Sequence, residues 1–320
     1  VNLQNMVQGV IKGQTRAIAK AISLIERESI RASDLLRELF PHTGKAYLVG
    51  ITGPPGAGKS TLTNQIVKVW RKQGKKVGVI AVDPTSPFSG GAILGDRIRM
   101  NDLNTDPGVF IRSLASRGSL GGLSPAVYDT ALILDAAGFE YIIIETVGVG
   151  QTEVEIVELA DTTVVVTVPE AGDDIQTFKA GIMEIGDLFV VNKGDRPGTA
   201  KMKLLIENML DLVQLEWRPP VLVSIADKGE GIEEIVDQIE RHHQYLAISA
   251  RLAQDRKKAL IKKISQRLHN LFQQNIISKI FTSSEFDQVL TQILKRESDP
   301  FTEIDRLVQK YCPWLYESNE

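Results

Sequence analysis

Between residue 46 and about residue 245, short unbroken apolar runs alternate with stretches whose apolar positions recur at three- and four-residue spacing. Short apolar runs of this kind mark buried strands, and they predict strands over 47–52, 77–82, 109–113, 141–145, 162–168, 187–192 and 221–225. The helical stretches between them imply βαβ crossovers, hence an α/β fold with a mostly parallel sheet and helices on both faces. One segment separates two versions of such a sheet. Ala126, Val127, Ala131, Leu132 and Leu134 give Ser124–Gly138 a helical pattern. A helical crossover lets the strands at 109–113 and 141–145 run parallel, whereas a hairpin there would give an antiparallel edge.

The two ends read differently. Residues 4–40 read as helices, with Val7, Val10, Ile11 and then Ala17, Ala21, Leu24 and Ile25 in helical spacing, and Pro41-His42-Thr43-Gly44 breaks the pattern. After residue 246 the alternation stops. Leu252, Ala259, Leu260, Ile264, Leu268 and Leu271 share one helix face, opposite Arg256, Lys257, Lys258, Lys262 and Lys263. The basic face is most simply solvated; a membrane surface or an acidic partner is the alternative. Further helical pieces follow around 285–296 and 302–311. This tail cannot bury its apolar stripes alone, so it packs on the central domain, on the N-terminal helices or on a second copy. The predicted division is 1–45, an N-terminal helical extension; 46–245, the α/β domain; and 246–320, a C-terminal helical and dimerisation extension.

Composition narrows the class. The 320 residues are 43% hydrophobic and 24% charged, ordinary values for a soluble globular protein. A net charge of −3 offers no bulk attraction for nucleic acid. The single cysteine, Cys312, excludes an internal disulfide framework and a CxxC metal site, and reads as a small buried hydrophobe. No apolar run approaches the ~20 residues of a membrane span, and no signal-peptide core is present, so a cytoplasmic protein away from membranes is expected. Val1 in place of Met leaves a processed, truncated or unusually initiated start open.

The most specific chemistry lies after the first strand. Gly53-Pro54-Pro55-Gly56-Ala57-Gly58-Lys59-Ser60, followed by Thr61, is G-x-x-x-x-G-K-S between a strand and a helix. Glycines let backbone N–H groups converge on phosphates, and the helix N-terminus adds its positive dipole end. Lys59 is expected at the β- and γ-phosphates and the Ser60 hydroxyl at Mg²⁺. The plain alternative is a glycine-rich turn with a chance lysine, which the full consensus in its required context disfavours. A second motif names the base. Asn192-Lys193-Gly194-Asp195 is N-K-x-D at a strand's C-terminal end. An Asp carboxylate there accepts from N1–H and the exocyclic amine of guanine, donors that adenine lacks, and adenine would leave Asp195 unpaired at a cost of about 1–3 kcal/mol. Ser224-Ile225-Ala226 after the next strand suits backbone contact with guanine O6. The expected ligand is GTP or GDP with Mg²⁺. With the helical crossover, the motifs predict a P-loop NTPase of the all-parallel class that holds signal-recognition and metal-chaperone GTPases.

Acids at strand tips supply the expected metal site. Asp83 ends one strand, Asp96 lies in the glycine-rich loop Ser89–Arg97 beside Gly95, and Glu145 ends another strand ahead of Thr146-Val147-Gly148. Capping or turn formation is the alternative for Asp83 and Asp96. Glu145 stands where Asp is usual in D-x-x-G, a longer arm that favours a water-mediated contact. The Gly148 N–H is placed to meet the γ-phosphate, and Gly148 to Gly150 could move when that phosphate leaves. Gln151 is not directly beside Gly148 and is not assigned as the water-positioning residue. Pro169–Lys179 follows the strand at 162–168 as a third mobile candidate, in which Asp173 could equally be an N-cap. Position 54 is Pro, so the extra P-loop lysine used in trans by some dimeric relatives is absent. Slow intrinsic turnover stimulated by a partner is the expectation.

GPPGAGKST at 53–61, AVDPTSPFSGGAILGDRIRM at 81–100, SRGSLGGLS at 116–124, ETVGVGQTE at 145–153 and EAGDDIQTFKAGIMEIGD at 170–187 together resemble the MeaB/ArgK-type G proteins, the methylmalonic aciduria type A family. The resemblance runs from about residue 7 to 245 and more loosely through the tail. It implies a homodimeric GTPase chaperone for an adenosylcobalamin-dependent acyl-CoA mutase, usually methylmalonyl-CoA mutase, which gates cofactor delivery and protects the mutase. It implies Lys59 and Ser60 at phosphate and Mg²⁺, Asp83, Asp96 and Glu145 around the metal, and Gln176 and Lys179 in a third switch that senses the mutase. Older naming of the same family implies instead an ATPase or kinase of lysine/arginine/ornithine transport, against which Asn192-Lys193-Gly194-Asp195 argues.

Two other functions compete. A metal-insertion GTPase of the urease or hydrogenase type needs His or Cys ligands near its switches. His42, His242, His243 and His269 all lie elsewhere, and His242-His243 is expected to close a helix as cations near its C-terminal end. A non-catalytic nucleotide-dependent module shares the site but predicts no turnover. No D-x-H-x-x-G is present, so direct cobalamin binding is not expected.

Overall fold

The computed structural model describes residues 2–27, 30–83, 102–103, 105–115, 125–146, 156, 159–169, 185–213, 215–249 and 251–315. Contacts divide the chain into two compact units, Val1–Leu252 and Ala253–Glu320.

The first unit is built on one sheet. Its elements are helices α1 (Leu3–Ile11), α2 (Thr15–Glu26) and α3 (Ile30–Leu39), strand β1 (Tyr47–Thr52), α4 (Lys59–Lys72), β2 (Val77–Asp83), β3 (Val109–Ala115), α5 (Pro125–Ala136), β4 (Tyr141–Thr146), β5 (Thr162–Thr167), β6 (Leu188–Val191), α6 (Thr199–Leu210), β7 (Val221–Val223) and α7 (Ile232–Ile248). The seven strands stand in the order β3-β2-β4-β1-β5-β6-β7, all parallel. The predicted crossover helix is α5, and β3 pairs in parallel with β2 from Val77↔Val109 to Asp83↔Ala115. β2, β4, β5 and β6 are buried along their whole length, as their unbroken apolar runs require. β7 ends two residues earlier than its apolar run, because Ile225 turns away to bridge Glu230.

Two layers cover the sheet. Ile18, Ile22, Leu35 and Leu39 of the N-terminal helices pack with Val127, Ala131 and Leu134 of α5 over Ile80, Ile142 and Ile144. Each such buried side chain contributes about 1.5–3 kcal/mol, so α1–α3 stabilise the domain. On the other face Leu62, Ile66 and Trp70 of α4 and Ile235, Val236 and Ile239 of α7 cover Val49, Val79, Ile143 and Val190. A third cluster joins α6 to Val165, Phe189 and Val221. Asp135 at the end of α5 accepts from the backbone N–H of Gly44, Lys45 and Ala46 at 2.5, 3.2 and 3.0 Å. Those bonds fix the entry of β1, the strand that leads into the glycine loop.

The topology places the crevice. From β1 the chain leaves toward β2 and β3, whereas after β4 it crosses to β5 on the other side of β1. Ligands of open parallel sheets bind outside the strands' carboxyl ends at such a reversal.

The second unit is helical. Beyond residue 272 it carries a π turn at Gln273–Ile277 and helices Ser278–Phe281, Ser284–Leu294 and Pro300–Tyr311. The Ser283 and Asp299 side chains cap the last two by accepting from Phe286 and from Phe301 and Thr302 backbone N–H. Its own core is small, with Ile280, Val289 and Leu307 at the centre. Leu260, Ile264, Leu268, Phe272, Phe301 and Trp314 remain well exposed.

Candidate functional site

The glycine loop takes its shape from three backbone conformations that other residues rarely adopt. Gly53, Gly56 and Gly58 have φ of 136°, 76° and 88°. A Cβ on Gly53 would lie 1.9 Å from the Val166 carbonyl oxygen, and one on Gly58 would lie 2.4 Å from Asn192 Nδ2. The loop is therefore pressed against β5 on one side and the N-K-x-D segment on the other. Gly58 is the N-cap of α4 and makes no side-chain cap, so the glycine loop runs directly into the positive end of the helix dipole, the end that favours an anion. Pro54, Pro55 and Ala57 complete the loop, with Ala57 N–H turned back to the Pro54 carbonyl at 3.3 Å.

Lys59 is only 6% exposed, and its ammonium donates to the carbonyls of Gly53 and Pro54 at 2.7 and 2.9 Å. The cation thus curls over its own loop. Ser60 Oγ donates to Glu145 Oε1 at 2.5 Å. Glu145 lies opposite Ile51 and Ala81 in the neighbouring strands, and Asp83 lies two residues past Ala81. Glu145 and Asp83 are 2% and 3% exposed. Two buried carboxylates at the ends of adjacent strands and the Ser60 hydroxyl in the first turn of α4 make an all-oxygen set, which suits a hard cation such as Mg²⁺. Among the described residues no group of three or more His, Cys, Asp or Glu is present that could hold a metal without the nucleotide's help.

The base end is tied to the phosphate end through one side chain. Asn192, 2% exposed, donates from Nδ2 to the Ala57 carbonyl at 2.8 Å. Its Oδ1 accepts from Ser224 Oγ and from Ala226 N–H, both at 3.1 Å. Lys193 sits in the left-handed region at φ 57° and its ammonium donates to the Gly56 carbonyl at 2.7 Å. Asp195 accepts from Lys228 Nζ at 3.1 Å. This pairing holds the Asp195 carboxyl below the usual carboxylate range, chiefly through the Lys228 hydrogen bond.

The sequence-derived residues meet as follows. Residues 53–61, Asp83, Glu145, Asn192, Lys193, Asp195 and Ser224–Ala226 all stand at the carboxyl ends of β1, β2, β4, β6 and β7. Asp96, Gly95, Gly148, Gly150, Gln151, Asp173, Gln176 and Lys179 lie outside the described residues. The amides of Ile225 and Ala226, expected at guanine O6, bond within the protein, to Glu230 O at 3.1 Å and to Asn192 Oδ1. An O6 contact through either would have to share its N–H. His242 and His243 do not close a helix, for α7 continues to Ile248. His242 is buried, with Nδ1 2.8 Å from Thr162 Oγ1 and Nε2 3.5 Å from Asp187, while His243 stacks on Tyr47 at 3.9 Å. These partners begin or precede β1, β5 and β6, at the amino ends of the strands and so away from the crevice at their carboxyl ends. Lys228 escaped the sequence reading, because an ion pair between residues 33 apart carries no local signal.

Known proteins resemble this chain in sequence and fold. Residues 18–285 match the family described as Methylmalonyl Co-A mutase-associated GTPase MeaB. A protein of Pyrococcus abyssi with a GTPase name is 46% identical over 96% of both chains. GTPase ArgK of Escherichia coli is 35% identical over 91% of this chain and 90% of its own, and the mouse mitochondrial methylmalonic aciduria type A homolog is 34% identical over 88% and 71%. A solved LAO/AO transport system kinase shares the fold with a TM-score of 0.74 at 29% identity, covering 96% of both chains. With a family match over most of its length and a P-loop, N-K-x-D and all-parallel sheet in register, the chain belongs to the MeaB family of methylmalonyl-CoA mutase-associated GTPases.

Proposed function

We propose that this GTPase is a chaperone for an adenosylcobalamin-dependent acyl-CoA mutase, with methylmalonyl-CoA mutase the first candidate, and that its nucleotide state gates cofactor loading and protects the mutase. The observation that carries the reading is the match over residues 18–285 to a family named for that mutase. The site supports it: Lys59 and the first-turn amides of α4 would bind the phosphates, and Asp195 would read the base. Ser60, Asp83 and Glu145 would hold Mg²⁺, which when bound neutralises charge on the β- and γ-phosphates. Asp96, Gly148 and the segment holding Asp173, Gln176 and Lys179 would carry the nucleotide state to the mutase. Turnover is slow until the mutase completes the site.

Homodimer formation fits the exposed Leu, Ile, Phe and Trp side chains of the helical residues 260–314. Among the described residues no helix is long and apolar enough to cross a membrane. Metal insertion is disfavoured by His242 and His243, which are packed at the amino ends of the strands, away from the crevice. Transport-system kinase activity, the description carried by the solved relative, needs ATP and is disfavoured by Asp195 at the base position.

Size-exclusion chromatography with the host's cobalamin-dependent mutase tests the association. A co-eluting complex whose stability differs between GDP and a non-hydrolysable GTP analogue is expected. No complex in either state would overturn the chaperone reading.

A further inference from the structure

We infer that Lys228 is a positioning residue for guanine recognition: from the loop after β7 it holds the Asp195 carboxylate in place to receive the base edge. The inference rests on the reading of Asp195 as the base-binding residue.

Both sides of the pair are anchored by backbone. Lys228 N–H donates to the Ile225 carbonyl at 2.9 Å, Glu230 N–H donates to the same carbonyl at 3.2 Å, and Ile225 N–H donates back to Glu230 at 3.1 Å. Residues 225–230 thus form a closed turn with Lys228 near its tip. Gly231 ends the turn at φ 76°, where a Cβ would lie 2.4 Å from the Val223 carbonyl oxygen. The turn is pressed onto β7 and has little freedom. On the other side, Gly194 N–H donates to the Ser224 carbonyl at 2.9 Å, and a Cβ on Gly194 would meet Val223 Cγ1 at 2.4 Å. Two fixed loops therefore bring Asp195 and Lys228 together.

The chemistry explains why such a pairing suits a base site. A carboxylate has about four acceptor positions, and guanine uses one on each oxygen. Lys228 occupies one position on Oδ2, which leaves room for both base donors. An unpaired Asp195 side chain, 44% exposed, would sample several rotamers and lose entropy on binding. The charged groups acting on the pair are Arg196 beside Asp195, and Asp227 and Glu230 beside Lys228. Arg196 also favours the ionised acid, but less than the Lys228 bond does.

The test uses the full chain and equilibrium binding of a fluorescent GDP to five proteins: wild type, Lys228→Met, Lys228→Arg, Asp195→Asn and the Asp195→Asn/Lys228→Met double variant, which closes a cycle. Lys228→Met is expected to weaken GDP binding roughly 2- to 5-fold, within the range of an exposed ion pair. Lys228→Arg should bind GDP nearly as wild type does. The pH profile adds a readout that a folding defect would not move. Losing Lys228 raises the Asp195 pKa, so on acidification Lys228→Met should lose GDP affinity at a higher pH than wild type. In the Asp195→Asn background, Lys228→Met should cost nothing more. Unchanged or tighter GDP binding by Lys228→Met, or an equal loss in both backgrounds, would overturn the inference. Asp195→Asn binding GDP as wild type does would instead refute the base-site reading itself.

Discussion

Lys59→Ala is expected to weaken GDP and GTP binding by about 100-fold or more, the loss of two charge-assisted bonds to phosphate oxygens. In the present structure the ammonium spends its donors on the Gly53 and Pro54 carbonyls. Those contacts hold a buried cation close to where phosphates would lie, so it needs little rearrangement to reach them. Alanine removes the only P-loop cation while leaving the loop's glycine conformations and the Asn192 tie in place. The fold should survive, as circular dichroism can verify. The clearest readout is thermal: wild type gains about 2.7 kcal/mol at a GDP concentration one hundred times Kd, and Lys59→Ala should gain almost nothing at the same concentration. A variant stabilised as much as wild type would show that the nucleotide sits elsewhere.

Asp195→Asn should remove the preference for guanine, with GDP affinity falling about 30- to 100-fold and approaching that for ADP. The amide turns an NH₂ toward guanine's own donors. Xanthine carries a carbonyl where guanine carries the exocyclic amine, so the amide should favour it. Competition of GDP, ADP and XDP against a fluorescent nucleotide reads all three. Asp195→Asn should rank XDP above GDP, and retention of the guanine preference would sink the assignment.

The architecture was legible because most strands are apolar runs and the crossovers into β2, β4 and β7 are helical patterns. The sheet needs no information beyond burial on both faces, which β2, β4, β5 and β6 show in full. The helical reading of 124–138 was enough to set the parallel pairing of β3. The phosphate and base motifs were legible because the glycines and the terminal Asp are demanded by local chemistry. What joins them was not. Asn192 was expected at the nucleotide, yet its side chain spans from Ala57 to Ser224 and Ala226, contacts 135 and 32–34 residues away. Lys228 was silent for the same reason. His242 and His243 misled because a helix end was inferred from charge, whereas α7 runs on to Ile248 and His242 packs into the domain. Local patterns specify elements and motif loops; contacts between distant loops depend on how the sheet brings them together.

The most direct test of the central claim is GTP hydrolysis measured alone and with the host's cobalamin-dependent mutase titrated in, with ATP as control. The account predicts slow GTP turnover that rises saturably with mutase, and no ATP turnover under either condition. GTP turnover unmoved by the mutase would contradict the chaperone role, and hydrolysis of ATP in preference to GTP would contradict the base site on which that role depends.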